Sequence, residues 1–574
     1  MASINEFHPE TQPQLLSALI DEEWEYRLAQ DPLFATQVGD PRYQALLPDG
    51  SEANEIAKAA RYQDLLQRLA ALNFEALSQD EQLNAEMLRN ELIDRLAQFE
   101  FGAYWMPVTQ LNGPHSLLTD TIALTPFLTL EDYRQYIARL AGIPDYFDRV
   151  IDLMRGGVQR GLVPAAHAVA GLGAALRDLV VESPEQHFFF QPFLHFPARI
   201  PTEQQAGLVE AGTAVIRDSV VPGFQKFLDF VVQDYIPAAR QQDGISALPG
   251  GDRFYEHLIR KFTTLDLTAE QIHQTGLAEV ARIRNEMEAI IASTGFHGSF
   301  HEFLQMLRSN PMFYVTEPEA LMEKVAFIMK RMDGELPRLF KVLPRTPYGM
   351  RQTPAHIAPR STSAYYFPPT GDGTTAGYYY VNTYDLPSRP LYEYEALSFH
   401  EAVPGHHLQI ALQQEMTGVP NFRRYAALDA FIEGWALYAE RLGLEVGFYR
   451  DPYSNFGRLT FEMWRACRLV VDTGIHAQGW TREQAIQYMA ENTALSLLNI
   501  QNEVDRYIAW PGQALAYKIG EIKIRELRSS AEKKFGDHFD LRDFHRVLLE
   551  KGPMPLTLVE KTVRQWMENT PGEA

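Results

Sequence analysis

The chain has 574 residues, 46% of them apolar and 22% charged, so it is ordinary globular material and not a disordered polymer. Its length suggests about three or four domain-sized units. Lys and Arg number 52 against 74 Asp and Glu, and the net charge of −22 disfavours nucleic acid and anionic membrane surfaces as partners while favouring solubility.

A single cysteine, Cys467, excludes an internal disulfide and fits a reducing compartment. The first residues, MASINEFHPETQ, have neither the basic start nor the apolar stretch of a secretory signal. The most apolar run, His167 to Val181, is cut by Arg177 and Asp178 and falls short of the ~20 apolar residues that a membrane span needs. The expectation is a cytoplasmic protein with no membrane partner.

In chain order, helical apolar periods cover Asn54 to Leu72, Pro201 to Tyr235, Thr268 to Ser293 and Glu317 to Phe340. Thr268, with Glu270 and Gln271 just after it, predicts a helix start. Breaks fall at Leu248-Pro249-Gly250-Gly251 and at Leu343-Pro344-Arg345-Thr346-Pro347. A boundary near the first of these divides an N-terminal helical region, 1–248, from a C-terminal one, 249–574. Between Pro359 and Asn382, two aromatic runs flank a turn-rich loop, which predicts a β-hairpin at about 360–384. Glycines 371, 373 and 377 do not have the spacing of a nucleotide-binding fingerprint. The fold class is therefore mainly α, with a small β element just before a histidine-rich segment.

That segment is His400-Glu401-Ala402-Val403-Pro404-Gly405-His406-His407, inside a helix predicted over Leu391 to Gln414. In the HExxH motif of zinc peptidases, two histidines at i and i+4 lie ~40° apart on one helical face. Both ligate one zinc, and the adjacent Glu acts on the zinc-bound water. Here position 404 is proline. In a regular helix His406 would point ~120° away from His400, and His407 would sit ~10.5 Å along the axis. Pro404, however, has no N–H for the His400 carbonyl, and Gly405 readily leaves helical geometry. Reading the pair as a local bulge or insertion makes His406 the preferred second ligand, with His407 the alternate.

A third ligand is expected from a following helix. Glu433 stands among apolar residues in Phe431-Ile432-Glu433-Gly434-Trp435, where a carboxylate needs a metal or a charged partner. Glu440, two turns on, competes for the role, and an ion pair of Glu433 with Arg441 or Arg465 is the structural alternative. The His/His/Glu set favours one zinc ion. The region 400–433 is thus the expected metal site.

HEAVPGHHLQ followed by EGWALYAE resembles the bacterial domain-of-unknown-function 885 family, whose members look like gluzincin metallopeptidases. The resemblance continues through Val471-Asp472-Thr473-Gly474-Ile475-His476, Glu503-Val504-Asp505-Arg506-Tyr507 and Pro511-Gly512-Gln513-Ala514-Leu515-Ala516-Tyr517-Lys518-Ile519-Gly520. That family is similar in turn to helical oligopeptidases and angiotensin-converting enzyme. The resemblance implies an elongated helical body, a deep cleft, a short edge strand that aligns peptide, and a zinc metallopeptidase acting on short peptides.

Glu401 is then the general base. The Arg506-Tyr507 pair resembles one whose tyrosine stabilises the oxyanion in angiotensin-converting-type enzymes, which makes Tyr507 the first candidate for that role and Tyr517 the second. Arg468, Asp472 and His476 share a predicted helix face, so Arg468 or His476 either binds a substrate carbonyl or carboxylate, or belongs to a salt-bridge ladder. Lys518 is a peptide-carboxylate candidate or a solvated side chain. Gly377 to Asn382, with Tyr379, is the candidate substrate-aligning strand. Asp472 or Asp429 is expected to orient a ligand histidine. The competing readings are a zinc esterase or amidase and a non-catalytic metal-binding scaffold.

Overall fold

The computed structural model describes residues 11–570, apart from residues 356, 372 and 374 and the side chains of 120, 123 and 360. The N-terminal segment before residue 11 and residue 372 of the hairpin loop, both used in the sequence reading, lie outside the described residues.

The chain is mainly helical, as its apolar periods imply. Helices α1 (Gln12–Gln30), α2 (Glu52–Ala70) and α3 (Gln79–Glu100) open the fold. Next come α4 (Ile143–Arg160) and α5 (Val221–Phe230), where Phe147 stacks on Phe227 with ring centres 4.7 Å apart. Helix α6 (Ala269–Ser293) begins at the predicted cap: Gln271 N–H donates to Thr268 Oγ1 (3.2 Å), and Thr268 N–H donates back to Gln271 Oε1 (2.9 Å). That reciprocal pair satisfies two N–H groups that the first turn leaves open. Helix α7 spans Pro318–Leu339.

One core cluster joins residues of α1–α3 to residues from Val280 through Val563, and a second gathers residues 108–239. Hydrophobic packing therefore groups the first hundred residues with the C-terminal region, a different division from a single cut near 248.

The predicted hairpin is present, within a larger element. Strands β1 (Tyr348–Gln352), β2 (Ala364–Phe367) and β3 (Gly377–Val381) form one sheet in the order β1-β3-β2. β2 pairs with β3 antiparallel, Tyr365 opposite Tyr380, whereas β1 adds to the far side of β3 in parallel, Met350 opposite Tyr379. The sequence reading missed β1: Tyr-Gly-Met-Arg-Gln has little apolar alternation, and its pairing is decided by a distant strand.

The expected continuous helix over Leu391 to Gln414 is two helices, α8 (Tyr394–Glu401) and α9 (His406–Gln414). Four residues separate them, so the interruption is a full break and not a bulge within one helix. Ala402 (φ −111°, ψ −105°) and Gly405 (φ −80°, ψ −125°) leave helical geometry, and the Val403–Pro404 peptide is cis. Gly405 is required by contact: a Cβ there would lie 2.0 Å from the His400 carbonyl oxygen.

Four more helices complete the frame of the site: α10 (Asp429–Leu442), α11 (Pro452–Gln478), α12 (Leu497–Ala509) and α13 (Ala516–Phe535). α10 and α13 touch backbone to backbone. A Cβ on Gly434 would meet Gly520 Cα at 2.5 Å, and one on Gly520 would meet the Ala430 carbonyl oxygen at 2.0 Å. This close crossing fixes Glu433 and Tyr517, which flank the glycine pair.

Candidate metal centre

The break between α8 and α9 turns His406 back beside His400. Their rings lie 4.7 Å apart, nearly perpendicular at 85°. Trp435 Nε1–H of α10 holds the break from outside by donating to the Pro404 carbonyl (2.9 Å). α10 brings in Glu433, whose Oε2 sits 3.4 Å from both His400 Nε2 and His406 Nε2. One ligand atom from each of the three residues falls within 4.8 Å of the others.

These spacings fit zinc. Ligands about 2.0–2.1 Å from a tetrahedral ion are ~3.3 Å from one another. Two imidazoles and one carboxylate form a donor set able to hold a divalent cation with a fourth position open. Glu433 Oε2, which faces both imidazoles, is buried without a hydrogen-bond partner, a capacity that a cation would use.

Glu440, one of the two candidates for third ligand, stands behind His400. Its Oε1 lies 2.9 Å from His400 Nδ1 and 3.2 Å from the Arg465 guanidinium. An orienting carboxylate of this kind fixes the tautomer of a ligand histidine and leaves Nε2 facing the metal position. Neither Asp429 nor Asp472 has the orienting role expected of it. Asp429 accepts from Gln513 Nε2, while Asp472 accepts from Tyr255 Oη and the Gly512 N–H.

Burial disfavours a charged His400, but the carboxylates of Glu433 and Glu440 more than offset this and raise its pKa to about 9. Glu433 is likewise desolvated, yet the two histidines hold its carboxyl well below the usual range. Glu433 and His400 thus favour each other's charged forms, and a divalent cation would take the place of the His400 proton.

His407 points elsewhere. Its Nε2–H donates to the Thr346 carbonyl (3.0 Å) and its Nδ1 accepts from Tyr366 Oη (2.9 Å), so both nitrogens are engaged. Burial lowers its pKa to about 4 and keeps it neutral. It ties α9 to the sheet and leaves His406 facing Glu433.

A cavity of about 300 Å³ opens on the trio. Its lining includes Glu401, Tyr366, Tyr517, Arg465, Arg468, Arg506 and the start of β2, residues 362–366. Glu401 is 8% exposed and makes no hydrogen bond or ion pair with a described residue. Tyr517 Oη accepts from Arg506 (2.9 Å), and burial raises its pKa, which preserves its own hydrogen for donation.

A family model described as a bacterial protein of unknown function (DUF885) matches residues 32–563. The chain belongs to that family. Its fold is similar to the crystal structure of a "putative lipoprotein" from Colwellia psychrerythraea, with a TM-score of 0.92, 30% identity, and coverage of 98% of this chain and 100% of that one. It is also similar in fold to a "putative lipoprotein of unknown function" from Shewanella oneidensis, with a TM-score of 0.71, 19% identity and the same coverage. No curated protein matches the chain.

Several residues singled out in this DUF885 sequence lie away from the cavity. Tyr507 Oη accepts from Trp464 Nε1–H and Arg468 Nε–H, both at 2.9 Å, and also faces Glu503, so it has no capacity left for a ligand. His476 is wholly buried, with Nδ1 accepting from the Ile245 N–H (3.1 Å) and Nε2 bonded to the Tyr507 carbonyl (3.0 Å). Burial lowers its pKa to about 3, which makes it a structural link between α11 and α12. Tyr379 is fully buried on the central strand, whose two edges are both paired, so β3 has no edge to offer a peptide. Lys518 is buried among Glu279, Glu462 and Glu521, neither solvated nor near the cavity lining.

The sequence reading passed over β2 and Tyr366 as cavity walls. Their aromatic pattern was visible, but which strand of the sheet lies at its edge depends on β1. Glu440, the competitor of Glu433 for the third-ligand position, stands behind His400 instead, and the seven-residue spacing puts both on one face of α10.

Proposed function

We propose that this protein is a zinc-dependent metallopeptidase that hydrolyses short peptides. The observation that carries the reading is the convergence of His400 Nε2, His406 Nε2 and Glu433 beside an unengaged Glu401 in one cavity. A scaffold that merely bound metal would have no use for a free carboxylate next to its first ligand. The resemblance to gluzincins points the same way, because there too the Glu that follows the first ligand histidine is the base.

His400, His406 and Glu433 would hold the zinc ion, which when bound would supply Lewis acidity and lower the pKa of a water toward neutrality. Glu401 takes a proton from the attacking water and returns it to the leaving amine nitrogen. Tyr517 donates its hydroxyl hydrogen to the oxygen on which charge develops, and Arg506 fixes that hydroxyl from behind. Peptide backbone pairs with the edge strand β2, beside the cavity, as an added strand. Nucleic acid and membrane surfaces have no part in this reading. No described helix is long and apolar enough to cross a membrane.

The test is a substrate panel run with the zinc-supplemented protein. Cleavage of short peptides, abolished by a chelator and restored by zinc, supports the reading. Turnover of small esters or amides with peptides left intact replaces it with the esterase or amidase alternative. Metal well below one equivalent after supplementation, with no chelator effect, overturns it. The cytoplasmic location is proposed on the same terms, and cell fractionation decides it.

A further inference from the structure

A second cavity of about 300 Å³ shares no lining residue with the one that opens on the metal trio. Its walls come from within residues 98–112, 164–168, 240–262 and 508–511. Phe254, Leu258 and Phe262 recur every four residues along the helix Gly251–Thr263 and so present one apolar face to it. The end of α12 supplies Ile508, and Trp510 follows just beyond. The Phe262 and Trp510 rings meet edge to face, with centres 6.3 Å apart at 82°. Trp510 remains 37% exposed and forms the open side of this aromatic wall.

The charge in these walls has one sign. Arg240 and Lys261 line the cavity, and no Asp or Glu does, although the chain as a whole carries a net charge of −22. Both side chains are half-buried, so the cavity reaches them. Lys261 makes no ion pair or hydrogen bond with a described residue, and its Nζ stands 5.2 Å from the centre of the Phe262 ring. The Arg240 side chain donates only to the Gln242 carbonyl. Its backbone is pinned to the opposite wall: the Arg240 N–H donates to the Pro164 carbonyl (3.0 Å), and the Ala166 N–H donates to the Arg240 carbonyl (2.8 Å). Two acids act on these cations from outside the lining, Asp243 on Arg240 and Asp429 on Lys261. Both are engaged elsewhere. Asp243 meets His167 at 2.7 Å and accepts from the Arg482 N–H at 3.2 Å, while Asp429 accepts from Gln513 at 3.3 Å. Burial lowers the pKa of Arg240 to about 10, so the guanidinium is still charged at neutral pH. Two cations set against apolar walls are thus left without a carboxylate of their own.

We propose that this second cavity binds a small carboxylate with an aromatic body. The positive potential of Arg240 and Lys261 holds the carboxylate, and the body lies among Phe254, Phe262 and Trp510. Guanidinium and ammonium groups both suit a carboxylate, and aromatic walls suit a ring that meets them edge to face or offset. The volume lies at the lower end of the ~300–1,000 Å³ typical of ligand sites, which admits a single-ring molecule and excludes a long acyl chain or a peptide. A neutral apolar molecule would leave both cations unanswered. An anion without an apolar body would leave the aromatic walls in contact with water. The inference stands apart from the metallopeptidase reading, because it involves no reaction and none of the residues that line the metal cavity.

Four probes test this on the full chain by titration followed in the NMR signals of the probe: hydrocinnamate, its neutral amide, acetate and inorganic phosphate. Hydrocinnamate should bind about tenfold more tightly than the amide, which lacks the charge, and than acetate or phosphate, which lack the ring. Replacing both cations, Arg240→Met with Lys261→Met, should bring the affinity for the acid to within about twofold of that for the amide. Trp510→Ala should weaken acid and amide alike, since it removes part of the wall and none of the charge. Thermal melting checks the fold of each variant, and the comparison of the four probes on the unaltered chain stands even if a variant folds poorly. Acid and amide bound equally would overturn the proposal, as would acetate or phosphate bound as tightly as hydrocinnamate. The titrations are repeated with zinc and after chelation, because the metal cavity also offers cations. Affinity for the acid that appears only with zinc, or that survives unchanged in the folded double variant, would place the acid in the metal cavity and overturn the proposal. Equal affinity with and without zinc, lost in the double variant, supports it whatever the fate of the peptidase reading.

Discussion

Tyr517 and Lys518 are neighbours on α13, yet they face two opposite kinds of buried charge. Lys518 Nζ meets Glu279 at 3.0 Å, Glu462 at 3.0 Å and Glu521 at 2.9 Å, and Arg282 also reaches Glu462. No polar atom of those four acidic and basic side chains, Lys518, Glu279, Glu462 and Glu521, is buried without a partner. On the Tyr517 side, His406 Nδ1, Glu433 Oε2, Glu440 Oε2, Arg465 Nε and one terminal nitrogen of Arg468 are all buried without hydrogen bonds. Both regions are rich in buried charge, so burial does not distinguish a site from a structural network. Unused bonding capacity separates the two clusters: the first is closed on itself, whereas the second leaves several buried donors and acceptors open.

Five substitutions and a pH series put this contrast at risk. Glu401→Gln should retain zinc and lower kcat on the order of 10²–10⁴-fold, the usual scale for a lost general base. A variant with normal turnover, or one stripped of metal, would remove the open carboxylate from the argument. Lys518→Met, in the closed cluster, should cost about 3–5 kcal/mol in chemical denaturation, since it strands buried carboxylates, and should leave zinc stoichiometry unchanged. Loss of zinc in that variant would show that the two clusters are not separate.

Tyr517→Phe should lower kcat about 10²-fold with little change in folding stability, as expected for one lost oxyanion donor. Tyr507→Phe, by contrast, should register chiefly as a stability loss of about 1–3 kcal/mol, because buried donors lose their acceptor. The reverse pattern would restore Tyr507 to the site.

The smallest effect concerns pH. His545 is buried with Nδ1–H donating to the Leu339 carbonyl and Nε2 accepting from Tyr438, and burial lowers its pKa from 6.5 to about 3. The folded protein keeps it neutral, while the unfolded chain binds a proton below 6.5. Its contribution to stability is therefore complete above pH 6.5 and is lost as pH falls from there toward 3, at up to about 1.4 kcal/mol per pH unit. His476 adds the same trend over the same window. Denaturation curves between pH 7 and 5 should steepen in this sense, and His545→Gln should flatten them.

Much of the candidate site could be read from the chain, for a local reason. His400 and His406 lie six residues apart around Pro404-Gly405, and the chemistry of those two residues predicts a local departure from helix geometry, though not the full separation into two helices. Glu433 stood out because a carboxylate in an apolar helical run needs a compensating partner. The choice between Tyr507 and Tyr517 could not be made that way. Each is a tyrosine on a helix near arginines, and what separates them is that Trp464, Arg468 and Glu503 consume the hydroxyl of the first. β1 escaped notice for a similar reason, since its strand conformation depends on pairing with β3.

By itself, the sequence determined the helical class, the capped start of α6, the β2–β3 hairpin, a local departure from helix geometry at Pro404-Gly405 and the candidates for holding a divalent ion. These follow from periodicity, capping chemistry and ring constraints that act within a few residues. Tertiary structure alone decided that Glu440 backs His400 instead of joining His406 and Glu433 around it, that β2 is an edge strand, that Lys518 is locked away, and that Arg468 keeps one donor open. Each of those outcomes depends on which distant groups arrive to use up a hydrogen bond, and only the packed chain sets that assignment.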